Sequence, residues 1–161
     1  MTQSKTLRRW ELALLLGVAL AALLGVWLDG AQAALSDRVI RLHVLANSDS
    51  EADQALKLRV RDRILAEAEE LFVPGAGRAE TEELLRAHLY DLAAAGAEVV
   101  GEAGYSYPVT ASLVHDYWFP TKTYTDFALP AGAYTALRIE IGAGGGQNWW
   151  CVVFPPLCLG S

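Results

Sequence analysis

The chain has 161 residues and a formal net charge of −6. That is enough for one domain with a buried core, and the charge has the wrong sign for a protein that neutralises nucleic-acid phosphates. The hydrophobic fraction of 53% is high for a soluble protein, and much of it lies at the N-terminus.

Lys5, Arg8 and Arg9 form a basic start, Leu12 to Leu28 is apolar apart from glycines, and Ala31-Gln32-Ala33 has the small-x-small pattern of a signal-peptidase site. A run of about 17 residues is long for the apolar core of a signal and short for a membrane span. Two readings therefore stand: a secretory signal cleaved after Ala33, or a retained N-terminal anchor. The organisation expected is residues 1–33 as signal peptide or membrane anchor, inserted in the membrane at least transiently, and residues 34–161 as a single exported domain. Without residues 1–33 the chain keeps 10 basic and 17 acidic side chains, a net charge of −7. An acidic domain of this kind is repelled by anionic membrane surfaces as well as by nucleic acid.

Val39 to Ala46 is rich in β-branched and apolar residues and ends in Asn47-Ser48-Asp49-Ser50, a strand running into a turn. The turn doubles as a helix start: Ser48 and Glu51 have capping-box spacing, with Ser50 and Asp49 as alternative caps. Ala52, Leu56, Val60, Ile64 and Ala68, followed by Leu71, predict one core-facing stripe on this helix. Pro74-Gly75-Ala76-Gly77 ends it. A second helix is expected from about Glu80 into the nineties, with Leu85, Leu89 and Leu92 buried. After Gly104 the period becomes two. Tyr107 to Leu113 reads as a strand, extended or followed by Tyr117-Trp118-Phe119, and Tyr134 to Ile141 reads as another with Leu137, Ile139 and Ile141 inward. Gly142 to Gly146 is expected to be the flexible loop of a hairpin returning through Trp149 to Phe154. The fold class is α+β: two helices on one face of a mainly antiparallel sheet of about four to five strands, preceded by an N-terminal apolar helix.

Candidate chemistry is sparse. Asn47, Asp49, Glu51 and Asp53 alternate oxygen ligands, but a calcium loop needs Gly and Glu where Ala52 and Leu58 stand. The glycine run lacks the Lys-Ser or Lys-Thr and the following helix of a phosphate loop. His43, His88 and His115 share no metal-ligand spacing. No cofactor and no metal site is expected. Cys151 and Cys158 are too few for zinc, and in an exported domain their default is a disulfide; a Cys151 nucleophile paired with His43 or His115 stays open. Trp149 and Trp150, adjacent on a strand, point to opposite faces, so one enters the core and the other covers or exposes the second face.

Val39 to Ser50 followed by Asp53 to Asp62 resembles the front motif of the stage II sporulation protein R family of endospore-forming Firmicutes. So do Phe119-Pro120-Thr121-Lys122-Thr123-Tyr124, Leu129-Pro130-Ala131-Gly132 and Asn148 to Cys158, the last being the most specific block. The resemblance implies a non-enzymatic signal. Such a protein is made in the forespore and exported into the space between forespore and mother-cell membranes. There it triggers a membrane-embedded aspartic protease of the mother-cell septal membrane, through that protease's extracytoplasmic part, and the protease processes the precursor of the mother-cell sigma factor. The candidate partner-binding residues are Arg41, His43, Asn47, Asp49, Asp53, Lys122, Tyr124, Trp149 and Trp150. The alternatives carried are a secreted hydrolase with a Cys151- or histidine-based site and a structural envelope protein anchored by residues 12–28.

Overall fold

The computed structural model describes residues 8–124 and 128–156, apart from the side chains of Asp29, Ala31 and Ala33. The chain divides into two compact units, Met1–Leu35 and Ser36–Ser161. The first is occupied by α1 (Arg9–Ser36). Its stretch Arg9–Leu28 is 20 residues long and apolar enough to cross a membrane, about 30 Å at 1.5 Å per residue. Leu14, Leu16, Leu20, Leu23 and Trp27 all stand exposed, as befits a signal or anchor and not a core helix.

In the second unit, β1 (Ile40–Leu45) leads through the polar turn into α2 (Glu51–Glu70). Ser50 is the N-cap, its side chain accepting from the Asp53 backbone N–H and satisfying one orphan donor of the first turn. Leu56, Val60, Ile64 and Ala68 are buried as the period predicts, but Ala52 is exposed and Asp53 takes the buried place beside it. The carboxylate of Asp53 is held by the preceding turn, and its position three residues before Leu56 puts it on the same face as the apolar stripe. The single helix expected from Glu80 is two: α3 (Arg78–Ala87) and α4 (Leu89–Glu102). They break at His88, where the backbone has left helical geometry and the imidazole Nδ1 lies 2.8 Å from the Leu84 carbonyl. Leu85 and Leu92 are both buried in the core, as the i,i+7 spacing predicts.

The strands are β2 (Val109–Phe119), β3 (Lys122–Thr123), β4 (Ala128–Leu129), β5 (Gly132–Ile141) and β6 (Asn148–Phe154). Four form one sheet in the order β2-β5-β1-β6, and β3 pairs with β4 in a short ribbon. The sheet is mainly antiparallel, and β1 and β5 are its parallel pair, with Leu42 opposite Leu137 and Val44 opposite Ile139. The expected hairpin between β5 and β6 does not form, because β1 lies between them. The Gly142–Gly146 loop instead arches over the end of β1. Gly146 N donates to the Ala46 carbonyl at 3.0 Å and Gly145 N to the Asn47 carbonyl at 3.3 Å. A Cβ on Gly146 would stand 2.3 Å from the Ser48 carbonyl oxygen, and Gly142, at φ +60, would put one 2.2 Å from Asn47 Oδ1. The glycines are there for close approach, not for flexibility.

Strand alternation then sorts the sheet into two faces. Ile40, Leu42 and Val44, with Leu137, Ile139, Ile141, Cys151 and Val153, pack against Leu56, Val60, Ile64, Leu92 and Val100 of α2 and α4. Burying each such side chain contributes about 1.5–3 kcal/mol. Arg41 and His43 point to the other face.

Candidate partner-binding surface

The residues nominated from the sequence fall into three structural settings. The first is a sealed second core. Arg41 is fully buried, with its guanidinium 4.1 Å from the Phe119 ring centre and 5.1 Å from that of Tyr134, a cation over aromatic faces. Phe119 and Tyr134 meet edge to face, and Leu129 of the β3–β4 ribbon is buried. Burial pushes the Arg41 pKa down, while the neighbouring Tyr124 and Tyr134 phenols pull it back up. His43 is 1% exposed and stacks flat on Trp150, with ring centres 4.1 Å apart and planes within 5°. Tyr117 and Phe119 close the cluster. In the Nε2–H tautomer the His43 ring donates to Asn148 Oδ1 at 2.7 Å. Burial lowers the His43 pKa, with Arg138 adding to the effect and Asn148 opposing it. Arg41 and His43 therefore build the face on which a surface rests, and they present no group of their own to solvent.

The second setting is the turn that carries Asn47, Asp49 and Asp53. Asp53 Oδ2 accepts from Asn47 Nδ2 at 2.9 Å and from Ser48 Oγ at 2.5 Å. These bonds, the Ser48 bond foremost, hold its pKa below the ordinary carboxylate value. Asn47 Oδ1 accepts from Ala143 N at 3.0 Å, and Asp49 Oδ1 from Gln147 N at 2.7 Å. Asn47 and Asp49 thus clamp the crossing loop between β5 and β6 to the end of β1, and Asp53 braces Asn47 from behind. Each of the three side chains has at least one oxygen held by an internal donor, and among the described residues no group of three or more His, Cys, Asp or Glu side chains could hold a metal ion.

The third setting is accessible. A groove between α2 and β6 is lined by Gln54, Ala55, Lys57, Leu58, Lys122, Gln147, Asn148, Trp149 and Trp150. Trp149 and Trp150 do point to opposite faces: Trp149 packs against the helix-covered core, with the Arg61 guanidinium 4.3 Å over its ring, and Trp150 lies on His43. Both are half-buried and both border this groove. Lys122 Nζ is 5.9 Å from the Trp149 ring centre. Lys57 Nζ donates to Gln54 Oε1 at 2.6 Å and to the Gln147 carbonyl at 2.9 Å, and burial lowers its pKa. Of the nominated residues, Lys122, Trp149 and Trp150 are thus brought together, with Asn47, Asp49 and Asp53 holding the loop that ends at the groove. Lys57, Leu58 and Arg61 were missed. The period of α2 was read for apolar positions alone, but Lys57 is one of only two lysines beyond residue 33, which is a legible signal.

Two other expectations concern the cysteines and histidines. Cys151 is buried on the helix-covered face opposite Leu42, whereas His43 sits on the other face opposite Trp150. A Cys151–His43 pair therefore does not form. His115, at a bulge in β2 where Asp116 adopts φ 53, has Nε2 at 3.3 Å from Glu82 Oε1 and Nδ1 at 3.3 Å from Thr135 Oγ1. Glu82 is itself clasped by Arg78 at 2.9 Å and Arg86 at 2.7 Å, so His115 adjoins a polar cluster that ties α3 to the sheet, Arg78 also donating to Thr135 Oγ1. Cys158, the expected partner of Cys151, lies outside the described residues.

Comparison with known proteins gives one consistent result. A family model described as stage II sporulation protein R matches residues 36–161. Stage II sporulation protein R of Bacillus subtilis (strain 168) is 38% identical over 125 residues, covering 78% of this chain and 55% of that protein. The match thus spans about half the length of that curated relative. No solved structure matches the chain.

Proposed function

This chain belongs to the stage II sporulation protein R family, which supports a role in sporulation, and from that premise we propose that it is an exported signal between forespore and mother cell. In this reading its partner is a membrane-embedded aspartic protease of the mother-cell septal membrane, engaged from the space between the two membranes. Activation of that protease leads to processing of the mother-cell sigma factor precursor. The protein acts as a ligand and not as a catalyst, and Cys151 is clipped to Cys158. The family match is the observation that carries the proposal. The apolar α1, long enough to serve as signal or anchor, fits export. The site geometry also fits a ligand: the polar groups nominated from the sequence serve as clamps and stacks within the fold, while the accessible groove offers indoles and a lysine, which suit contact with another protein.

The test is precursor cleavage in cells that co-express the precursor and the protease, with and without this protein. Cleavage is expected only when the full chain is present and exported. Equal cleavage in its absence would overturn the reading.

A further inference from the structure

The domain from residue 34 onward carries only two lysines, Lys57 and Lys122. They are far apart in sequence and on different elements, yet both line the groove between α2 and β6. Among the described residues no acidic side chain lines it, in a domain where 17 acids outnumber 10 bases. An even scatter of carboxylates would place some there. The remaining polar lining is amide: Gln54, Gln147 and Asn148. The floor is apolar, with Leu58 37% exposed and Trp149 and Trp150 half-buried.

The cations differ in their commitments. Lys57 is spent on Gln54 and the Gln147 carbonyl, so it contributes fixed positive charge to the wall. Arg61 stacks on Trp149 and pairs with Asp62 at 2.6 Å. Lys122 is exposed and, among the described residues, makes no ion pair. The groove therefore presents one uncommitted cation at its edge, positive charge behind it and an indole floor. That combination selects a carboxylate beside an apolar side chain, and opposite-signed surfaces on the two partners steer and orient docking.

We infer that this groove is the docking site for an acidic, partly apolar segment of the partner membrane protein's extracytoplasmic part, with an Asp or Glu of the partner meeting Lys122 and an apolar side chain lying on Leu58 and Trp150. The inference rests on the signalling reading above and names the surface through which the signal is delivered. On an otherwise acidic domain, repulsion from the remaining surface leaves this patch as the favoured point of contact for such a segment.

The experiment uses the full chain in cells co-expressing protease and precursor, with Lys122→Glu, Lys122→Arg, Leu58→Glu and, outside the groove on α4, Tyr90→Glu (Tyr90 is 83% exposed). Each variant is checked for export and for an unchanged circular dichroism spectrum. Precursor cleavage is expected to fall by roughly tenfold or more in Lys122→Glu and in Leu58→Glu, and to stay within about twofold of wild type in Lys122→Arg and Tyr90→Glu. Full cleavage in Lys122→Glu and Leu58→Glu, with wild type active, overturns the groove assignment and leaves the signalling reading standing. A Tyr90→Glu loss as large as the groove losses also overturns it. Self-association of the purified protein that Lys122→Glu abolishes overturns the assignment in favour of a second copy as occupant. A wild-type chain that triggers no cleavage instead sinks the signalling reading itself.

Discussion

The two faces of the four-stranded sheet solve the same problem by different means. On the face under α2 and α4, Leu42, Val44, Leu137 and Ile139 meet Val60, Ile64 and Leu92, aliphatic against aliphatic, with long helices as cover. On the other face, Arg41 and His43 occupy the equivalent strand positions, and flat rings take the place of helices: Phe119 and Tyr134 around the guanidinium, Trp150 and Tyr117 around the imidazole. The first face is non-directional and rests on area. The second depends on stacking geometry and keeps ionisable groups dry. Among the described residues its only further cover from regular structure is the short β3–β4 ribbon, and the sheet margin beside Trp150 borders a groove.

The contrast is broken most sharply by truncation. Ile64→Ala on the helix-covered face and Phe119→Ala on the aromatic face are both fully buried sites, expected to cost about 2–5 and about 3–5 kcal/mol respectively in urea unfolding. Phe119→Ala is additionally expected to shift the near-ultraviolet signal of Trp150, because the two rings meet edge to face at 4.8 Å, whereas Ile64→Ala is not. Loss of stability on the helix-covered face alone would show that the aromatic face is a cover without structural weight.

A smaller effect separates the faces by pH. Burial holds the His43 pKa below its ordinary value, so the unfolded chain binds a proton more readily than the folded one. The stability this contributes is fully present above the ordinary histidine value of about 6.5 and is lost as pH falls below it toward the folded pKa, with a slope of at most about 1.4 kcal/mol per pH unit. Unfolding midpoints measured from pH 7 to 5 are expected to fall in wild type and to flatten in His43→Gln. An unchanged slope in the variant would place the titrating group elsewhere. Asp53, whose pKa is also lowered, acts in the same sense but in the carboxylate range, so the two contributions separate along the pH axis.

The smallest expected effect is at Arg41. A buried guanidinium loses its hydration, and an apolar residue of similar volume avoids that cost. Arg41→Met is expected to change stability by less than about 1 kcal/mol or to raise it, measured by the same unfolding curves. A loss above about 3 kcal/mol would mean that its stacking on Phe119 and Tyr134 outweighs the desolvation.

Much of the architecture was legible along the chain. The apolar α1, the capped start of α2, the buried positions of α2 from Leu56 to Ala68, the four strands of the main sheet and the opposite faces of Trp149 and Trp150 all follow from local periodicity and end signals, which are properties of neighbouring residues. The resemblance blocks pointed to the family, and the comparisons show it. What periodicity could not reveal was adjacency. Whether Gly142 to Gly146 joins neighbouring strands or bridges a third depends on a backbone contact nearly a hundred residues away, at Ala46 and Asn47. The same holds at the site: strand alternation puts Arg41 and His43 on one face, yet only the ribbon and the rings of distant segments decide that this face is closed.

By itself the amino-acid order determined most of the elements, the long apolar N-terminal helix and an α+β class, because those rest on short-range patterns of apolarity and capping. Only the tertiary structure decided the β2-β5-β1-β6 order, the burial of Arg41, His43 and Asp53 and the placing of Lys57 and Lys122 on one groove with Trp149, because each brings together segments that the sequence keeps apart.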